Sequence, residues 1–91
     1  MLTPSLTLIG KPGCHLCDEA RDVVQAVVDG LAADGVPVAV EERSILDDAD
    51  LDARWHDEIP VVLVGTALHD RWRVDADRLR TDLLAAADVS A

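Results

Sequence analysis

Ninety-one residues, 49% of them apolar and 29% charged, suffice for one small globular domain and are too apolar for a disordered chain. Eight Lys and Arg are scattered among eighteen Asp and Glu, giving a net charge of −10. This excludes DNA, RNA or an anionic membrane as the main partner, because those surfaces demand clustered cations.

Without Phe or Tyr, and with only Trp55 and Trp72, the core falls to Val, Leu, Ile and Ala. The acids are read mainly as solvating helix faces, which keeps the chain soluble and steers it toward basic partners. Two cysteines are too few for the disulfide framework of a small secreted domain. The N-terminus "MLTPSLTLIG" lacks a basic region, and its apolar run is short for a signal sequence. No segment reaches the roughly 20 apolar residues of a membrane helix. A soluble monomer in a reducing, cytoplasmic setting is expected.

"LTLI", Leu6 to Ile9, reads as a strand closed by Gly10 and Pro12. Beyond the cysteines, Ala20, Val23, Val24, Val27, Val28 and Leu31 recur with helical spacing, and Arg21, Asp22, Gln25 and Asp29 lie on the opposite face. Gly30 and Gly35, flanking Asp34, are the expected end of that helix.

"VPVAVEERSI", Val36 to Ile45, predicts a second strand that buries Val36, Val38 and Val40, with Pro37 at its start or edge. "DDADLDARWHDE" opens with acids suited to a helix N-terminus and carries Leu51 and Trp55 one turn apart. "IPVVLVG", Ile59 to Gly65, is continuously apolar, as a strand covered on both faces would be.

A tight turn at Gly65 and Thr66 leads to "ALHDRWRV", an edge strand with Leu68, Trp72 and Val74 on one side and Asp70 breaking the alternation. Asp75 is placed to cap a final helix in which Ala76, Leu79, Leu83 and Ala87 share a face with Leu84 and Arg80 alongside. The tail "DVSA" is expected to fray. The order is β-α-β-α-β-β-α: one α/β domain over residues 1–91, with a parallel crossover, a hairpin, and a four-stranded sheet flanked by helices.

The chemistry concentrates in "GKPGCHLCDEA", where Cys14 and Cys17 lie three residues apart and Lys11 is the chain's only lysine. A strand ending near Gly10 and a helix starting near Cys14 place that thiol at a helix N-terminus. The unpaired N–H groups there favour a thiolate, and Lys11 adds a positive charge while Asp18 and Glu19 oppose it. Cys17 follows one turn on, more covered, where it can resolve a mixed disulfide. His15, next to the nucleophile, can stabilise the thiolate. Zinc would need four ligands, and only His15, His56 and His69 remain, irregularly spaced. An iron–sulfur cluster shared between subunits, or an inert buried pair, stands beside the redox reading.

These residues resemble the glutaredoxin branch of the thioredoxin-like superfamily. The likeness extends over "LTLIG", the Lys11–Cys17 loop, "EIPVVLVG", the hairpin and the last helix, and the loop "CHLCDEA" is similar to that of small actinobacterial-type members. The resemblance implies a thioredoxin-like, glutaredoxin-type fold and thiol–disulfide oxidoreductase activity. Cys14 would be the nucleophile and Cys17 the resolving thiol of a redox disulfide. Pro60 would be a cis-proline facing them, and Ile59 would offer its backbone to an extended peptide or glutathione. Lys11 would meet a substrate carboxylate, with His15 and Leu16 in the loop that contacts substrate.

The resemblance implies no tightly bound cofactor and no metal. The co-substrate would be glutathione or another low-molecular-weight thiol, and the partners would be disulfide-bearing proteins, small thiols or a reductase. A binding module that keeps the fold without turnover, an adaptor or iron–sulfur carrier, is the alternative. Where typical glutaredoxins place a Gly-Gly pair and an acid, this chain reads "DRWRVDADRL", with Asp75 at the acidic position and Trp72, Arg73 and Val74 where small residues stand. Asp57 and Glu58 make the rim before the proline more acidic. Trp55 and Trp72 are read as packing or rim residues.

Overall fold

The computed structural model describes residues 3–88. In chain order these form β1 (Ser5–Gly10), α1 (His15–Ala33), β2 (Ala39–Ser44), α2 (Ala49–Trp55), β3 (Val61–Val64), β4 (Ala67–Arg71) and α3 (Ala76–Asp88). The four strands make one sheet in the order β2-β1-β3-β4. β1 runs parallel to β2 and antiparallel to β3, and β3 runs antiparallel to β4. This is the predicted element order, joined by the expected parallel crossover and hairpin. Apart from the backbone of Asp88, the "DVSA" tail lies outside the described residues.

Alternation along the two central strands divides the core between the two faces of the sheet. Leu6 and Leu8 of β1 lie opposite Val64 and Val62 of β3, and they pack with Ala20, Val24 and Leu31 of α1 and Leu79 and Leu83 of α3. Ile9 and Val61, opposite each other on the other face, pack with Ile45 and with Trp55 of α2. Cover on both faces explains why "IPVVLVG" is continuously apolar.

Several expectations are corrected. Gly30 does not end α1; it lies inside the helix, and the Arg80 side chain passes 3.8 Å from where its Cβ would stand. Arg80 continues to the Asp34 carboxylate at 2.6 Å, tying α3 to the end of α1. The stop comes at Gly35, whose φ of +85° is a left-handed conformation that suits glycine. There the N–H of Val36 returns to the carbonyl of Leu31 at 2.8 Å.

The second strand begins at Ala39 rather than Val36, because Pro37 has no N–H and the ladder opens with Ala39 N–H to Pro4 O at 2.9 Å. Val36 and Val38 still pack on the α1–α3 core, but Val40 is 46% exposed on an edge strand. Leu68, read on one side of its edge strand with Trp72 and Val74, is 45% exposed. The seven-residue α2 is too short to cover the whole of its face, and Leu68 borders a groove of about 350 Å³ with Ile9, Leu51 and Trp55.

The break in alternation at Asp70 has a structural cause. The β3–β4 register slips between Val62 and Leu63, so a bulge turns two consecutive side chains, His69 and Asp70, toward α3. His69 is buried, with Nδ1 2.6 Å from Asp82 Oδ2. Asp70 meets Arg78 at 2.9 Å and accepts the N–H of Asp75 at 3.2 Å. Asp75 in turn accepts the N–H of Arg78 at 3.0 Å, the cap the sequence assigned to it. Beyond Arg71 the strand ends, and Trp72 takes a φ of 65° instead of continuing it.

Gly10, at the end of β1, carries a tighter constraint. A Cβ there would lie 2.9 Å from the Cys17 sulfur and 3.1 Å from its Cβ. β1 is held on both sides by β2 and β3, so it has little room to yield. Gly10→Ala is expected to destabilise the fold by about 1–3 kcal/mol through overpacking. In urea titrations, a Cys17→Ala background should recover part of that loss, and an unchanged midpoint for Gly10→Ala alone would refute the constraint. Leu83→Ala, at a fully buried position of the α1–α3 core, should cost about 2–5 kcal/mol by the same measurement.

Candidate functional site

The cysteine loop leaves the end of β1 and enters α1. Cys14 is the N-cap of α1, with extended backbone (φ −93°, ψ 113°), and its sulfur accepts the N–H of Cys17 at 3.2 Å. Its carbonyl accepts the N–H of Asp18 at 3.1 Å. A sulfur thus stands where an N-cap oxygen usually stands, facing the unpaired N–H groups of the first turn. Cys14 and Cys17 are joined as a disulfide, with Cα atoms 5.2 Å apart. The two sulfurs are not equivalent: Cys14 is half-buried, while Cys17 is 1% exposed, under Gly10 and the sheet end.

His15 lies outside this packing, 86% exposed by side chain, and its Nε2 is 3.3 Å from Glu19. Leu16, half-buried, turns along α1 toward the segment that follows β4. Among the described residues no group of three His, Cys, Asp or Glu side chains is arranged to hold a metal ion.

Topology brings Ile59 and Pro60 to the same end of the sheet. Ile9 pairs with Val61, so the loop that starts after Gly10 and the two residues before Val61 share one edge. The Ile59–Pro60 peptide bond is cis. Pro60 is buried, and Ile59 is half-buried. Among the described residues neither the N–H nor the C=O of Ile59 has a hydrogen-bond partner. Both groups are therefore open at the end of the sheet that also carries the cysteine loop.

The residues around Ile59 are held from the end of β4, which sequence reasoning missed. Trp72 N–H donates to Pro60 O at 2.8 Å, and the Trp72 indole N–H donates to Asp57 O at 3.2 Å. Arg71 meets Glu58 at 2.6 Å and lies over the Trp72 ring at 5.4 Å from its centroid. Glu58 is therefore engaged, while Asp57 is 88% exposed beside His56 at 3.2 Å. The Asp52 carbonyl first, and then Asp57, raise the pKa of fully exposed His56 above its ordinary value. The only sequence signal for this clamp is the bulky "RWR" where small residues were expected.

Lys11 borders a separate open cavity of about 490 Å³, together with Asp18, Arg21, Glu42, Arg43 and Asp47. Arg21 is committed to Glu42 and to Asp18, the latter at 2.8 Å, and these two carboxylates push its pKa higher still. Arg43 is committed to Asp48 at 3.1 Å. Lys11 is exposed and, among the described residues, has no ion-pair partner. The structure thus gathers Cys14, Cys17, Leu16, Ile59 and Pro60 at one end of the sheet, places Lys11 on the neighbouring cavity, and leaves His15 on the outer surface of α1.

Known proteins share the fold. The chain is 33% identical to the target protein XcR50 from X. campestris, whose solution structure superposes with a TM-score of 0.66 over 89% of this chain and 94% of that one. It is 29% identical over 83 residues to the uncharacterized protein Rv0508 of Mycobacterium tuberculosis, covering 91% of this chain and 86% of that protein. Thioredoxin 1 of Thermosipho africanus, 11% identical, superposes with a TM-score of 0.62 over 94% of this chain and 97% of its own, a likeness of fold. The fold is thioredoxin-like, and an adjacent Cys-X-X-Cys pair on it is a redox-type arrangement. A family model described as a glutaredoxin-like domain (DUF836) matches residues 5–84, from β1 into α3, and the chain belongs to that glutaredoxin-like family.

Proposed function

We propose that the protein is a dithiol thiol–disulfide oxidoreductase that reduces disulfides of proteins or small molecules through Cys14 and Cys17. One observation carries this reading: the two sulfurs are joined at the N-terminus of α1, one accessible and one buried, at the sheet end where the Ile59 backbone is open. An inert structural pair would have no reason for that asymmetry.

In the reduced protein the helix end favours the ionised Cys14 sulfur over the neutral one. That thiolate attacks one sulfur of the substrate disulfide, forming a mixed disulfide and expelling the other sulfur as a thiolate, which takes a proton from solvent. The Cys17 thiol loses its proton and attacks the Cys14 sulfur. The Cys14–Cys17 disulfide forms, and the second substrate sulfur leaves as a thiol. Two electrons pass from the pair to the substrate, and an external low-molecular-weight thiol or a reductase returns them. Ile59 pairs with the extended backbone of the substrate, Pro60 and Leu16 bound the contact, and Lys11 attracts a substrate carboxylate. His15 stands close enough in sequence to the nucleophile to add positive charge when protonated.

Cys14→Ser is expected to bring turnover of a mixed disulfide to background, while Cys17→Ser keeps the first attack and stalls where a dithiol is required. Equal loss in both, with the fold intact, would contradict these roles. Retention of full activity by Cys14→Ser would end the role of Cys14 as nucleophile, and no turnover by the parent protein would end the reading in favour of a binding module. Alkylation of the reduced protein should run at Cys14 well before Cys17, with a midpoint below the ~8.5 of free cysteine. Lys11→Gln should move that midpoint upward by removing a positive charge. A midpoint at the free-cysteine value in the parent protein would refute the activated thiolate.

A further inference from the structure

Trp72 is the residue least explained by the fold. It is the one non-glycine among the described residues with a positive φ, 65°, a conformation that costs most residues about 1 kcal/mol or more. Its ring is 51% exposed, so core burial does not compensate. What holds it is a pair of donors that straddle Ile59, the backbone N–H on Pro60 O and the indole N–H on Asp57 O. Backbone strain kept by contacts to a candidate site points to a role there.

The ring also builds a surface. Trp72 and Val74 stand opposite Leu16, Ala20 and Val23 of α1 and enclose a slot of about 100 Å³. Glu19 and Arg73 meet across its rim at 4.0 Å. Leu16 lies in the first turn of α1, between the two cysteines in sequence, so one end of the slot is at the N-terminus of that helix. Pockets for small-molecule ligands run to about 300–1,000 Å³. This one is too small for a thiol of glutathione size and has the volume and apolar lining for one aliphatic side chain. The open N–H and C=O of Ile59 lie in the segment before β3 that Trp72 clamps. In an extended chain, side chains flank the residue whose backbone pairs, so one segment can fill both places.

We infer that Trp72 is the specificity-determining residue of the site: its ring walls a slot that takes an apolar side chain next to the half-cystine of an extended polypeptide, and its two N–H groups position the Ile59 edge with which that polypeptide pairs. This rests on the oxidoreductase reading above and narrows it, making a protein disulfide the preferred substrate over a small-molecule one.

The test uses pre-reduced protein in single turnover with two short peptides, Leu-Cys-Leu and Gly-Cys-Gly, each carrying thionitrobenzoate on its cysteine. Attack of Cys14 on the peptide sulfur expels coloured thionitrobenzoate, Cys17 then releases the peptide thiol, and no further reductant is needed. The parent protein should favour the Leu peptide by about tenfold in rate over half-saturation, chiefly through half-saturation, in line with the loss of a few methylenes from an apolar pocket. Trp72→Gly, which suits the left-handed backbone and should fold, should bring the two peptides within about twofold. Trp72→Phe keeps the wall and should keep most of the preference. Ellman's reagent, which has no side chain for the slot, reports the thiol chemistry of the parent protein apart from peptide recognition, and the parent protein should reduce it. An unchanged peptide ratio in Trp72→Gly, or no preference in the parent protein, overturns the inference while the oxidoreductase reading stands. Failure of the parent protein with Ellman's reagent overturns that reading instead.

Discussion

The site depends on the contact between the Cys17 sulfur and the bare backbone of Gly10. β1 is fixed by parallel bonds to β2 on one side and antiparallel bonds to β3 on the other, so its last residue is a rigid surface. Cys17 packs down on that surface with its sulfur where a Cβ would collide. This sets the height and rotation of the first turn of α1. Because Cys14 is the N-cap of the same helix, the packing of one cysteine determines how far the other projects. The shared edge of β1 and β3 then brings Ile59 and Pro60 to the same place without any contact of their own being needed to find it. Exposure at Cys14 and shelter at Cys17 are thus two consequences of one close approach.

Much of this was legible in the chain. The 3.6-residue recurrence of valines drew α1, the unbroken apolar run drew β3, and the spacing of Cys14 and Cys17 between a strand and a helix marked the candidate site. Legibility ended where tertiary geometry overrides local pattern. Gly30 reads as a stop in sequence, but the helix runs through it to the stop at Gly35, with Arg80 of α3 packed alongside. Val40 reads as buried, yet it lies on an edge strand, and Leu68 faces a helix too short to cover it. Alternation predicts which way a residue points; it does not predict whether anything is there to meet it. Asp70 was the informative anomaly, since a bulge is the physical form that a break in alternation takes.

The acidity of the chain also acquires a structural meaning. Arg21, Arg43, Arg71, Arg78 and Arg80 are each bound to at least one carboxylate from a different element or a neighbouring turn. Exposed pairs of this kind contribute only about 0–1 kcal/mol each. Their larger effect is to leave few cations uncommitted. Among the described residues, Arg54, stacked on Trp55, and Lys11, on the cysteine loop, are left without a carboxylate partner, against a net charge of −10. The one of the two that lies near the candidate site is a localised positive charge in an acidic surround.

The stretch from β4 to α3 joins these themes. The bulge turns His69 and Asp70 together toward α3; Asp70 then holds the N–H of Asp75 and the guanidinium of Arg78, fixing where the helix begins. Between Arg71 and Asp75 the chain must therefore span a set distance, and Trp72 takes up the turn with its left-handed backbone. A glycine would do this without strain but would bring neither an indole N–H for Asp57 nor a ring to stand opposite Leu16 and Val23. The same few residues that terminate the sheet and start the last helix also shape one wall of the reactive end, so its geometry follows from the packing of α3 as much as from the cysteine loop.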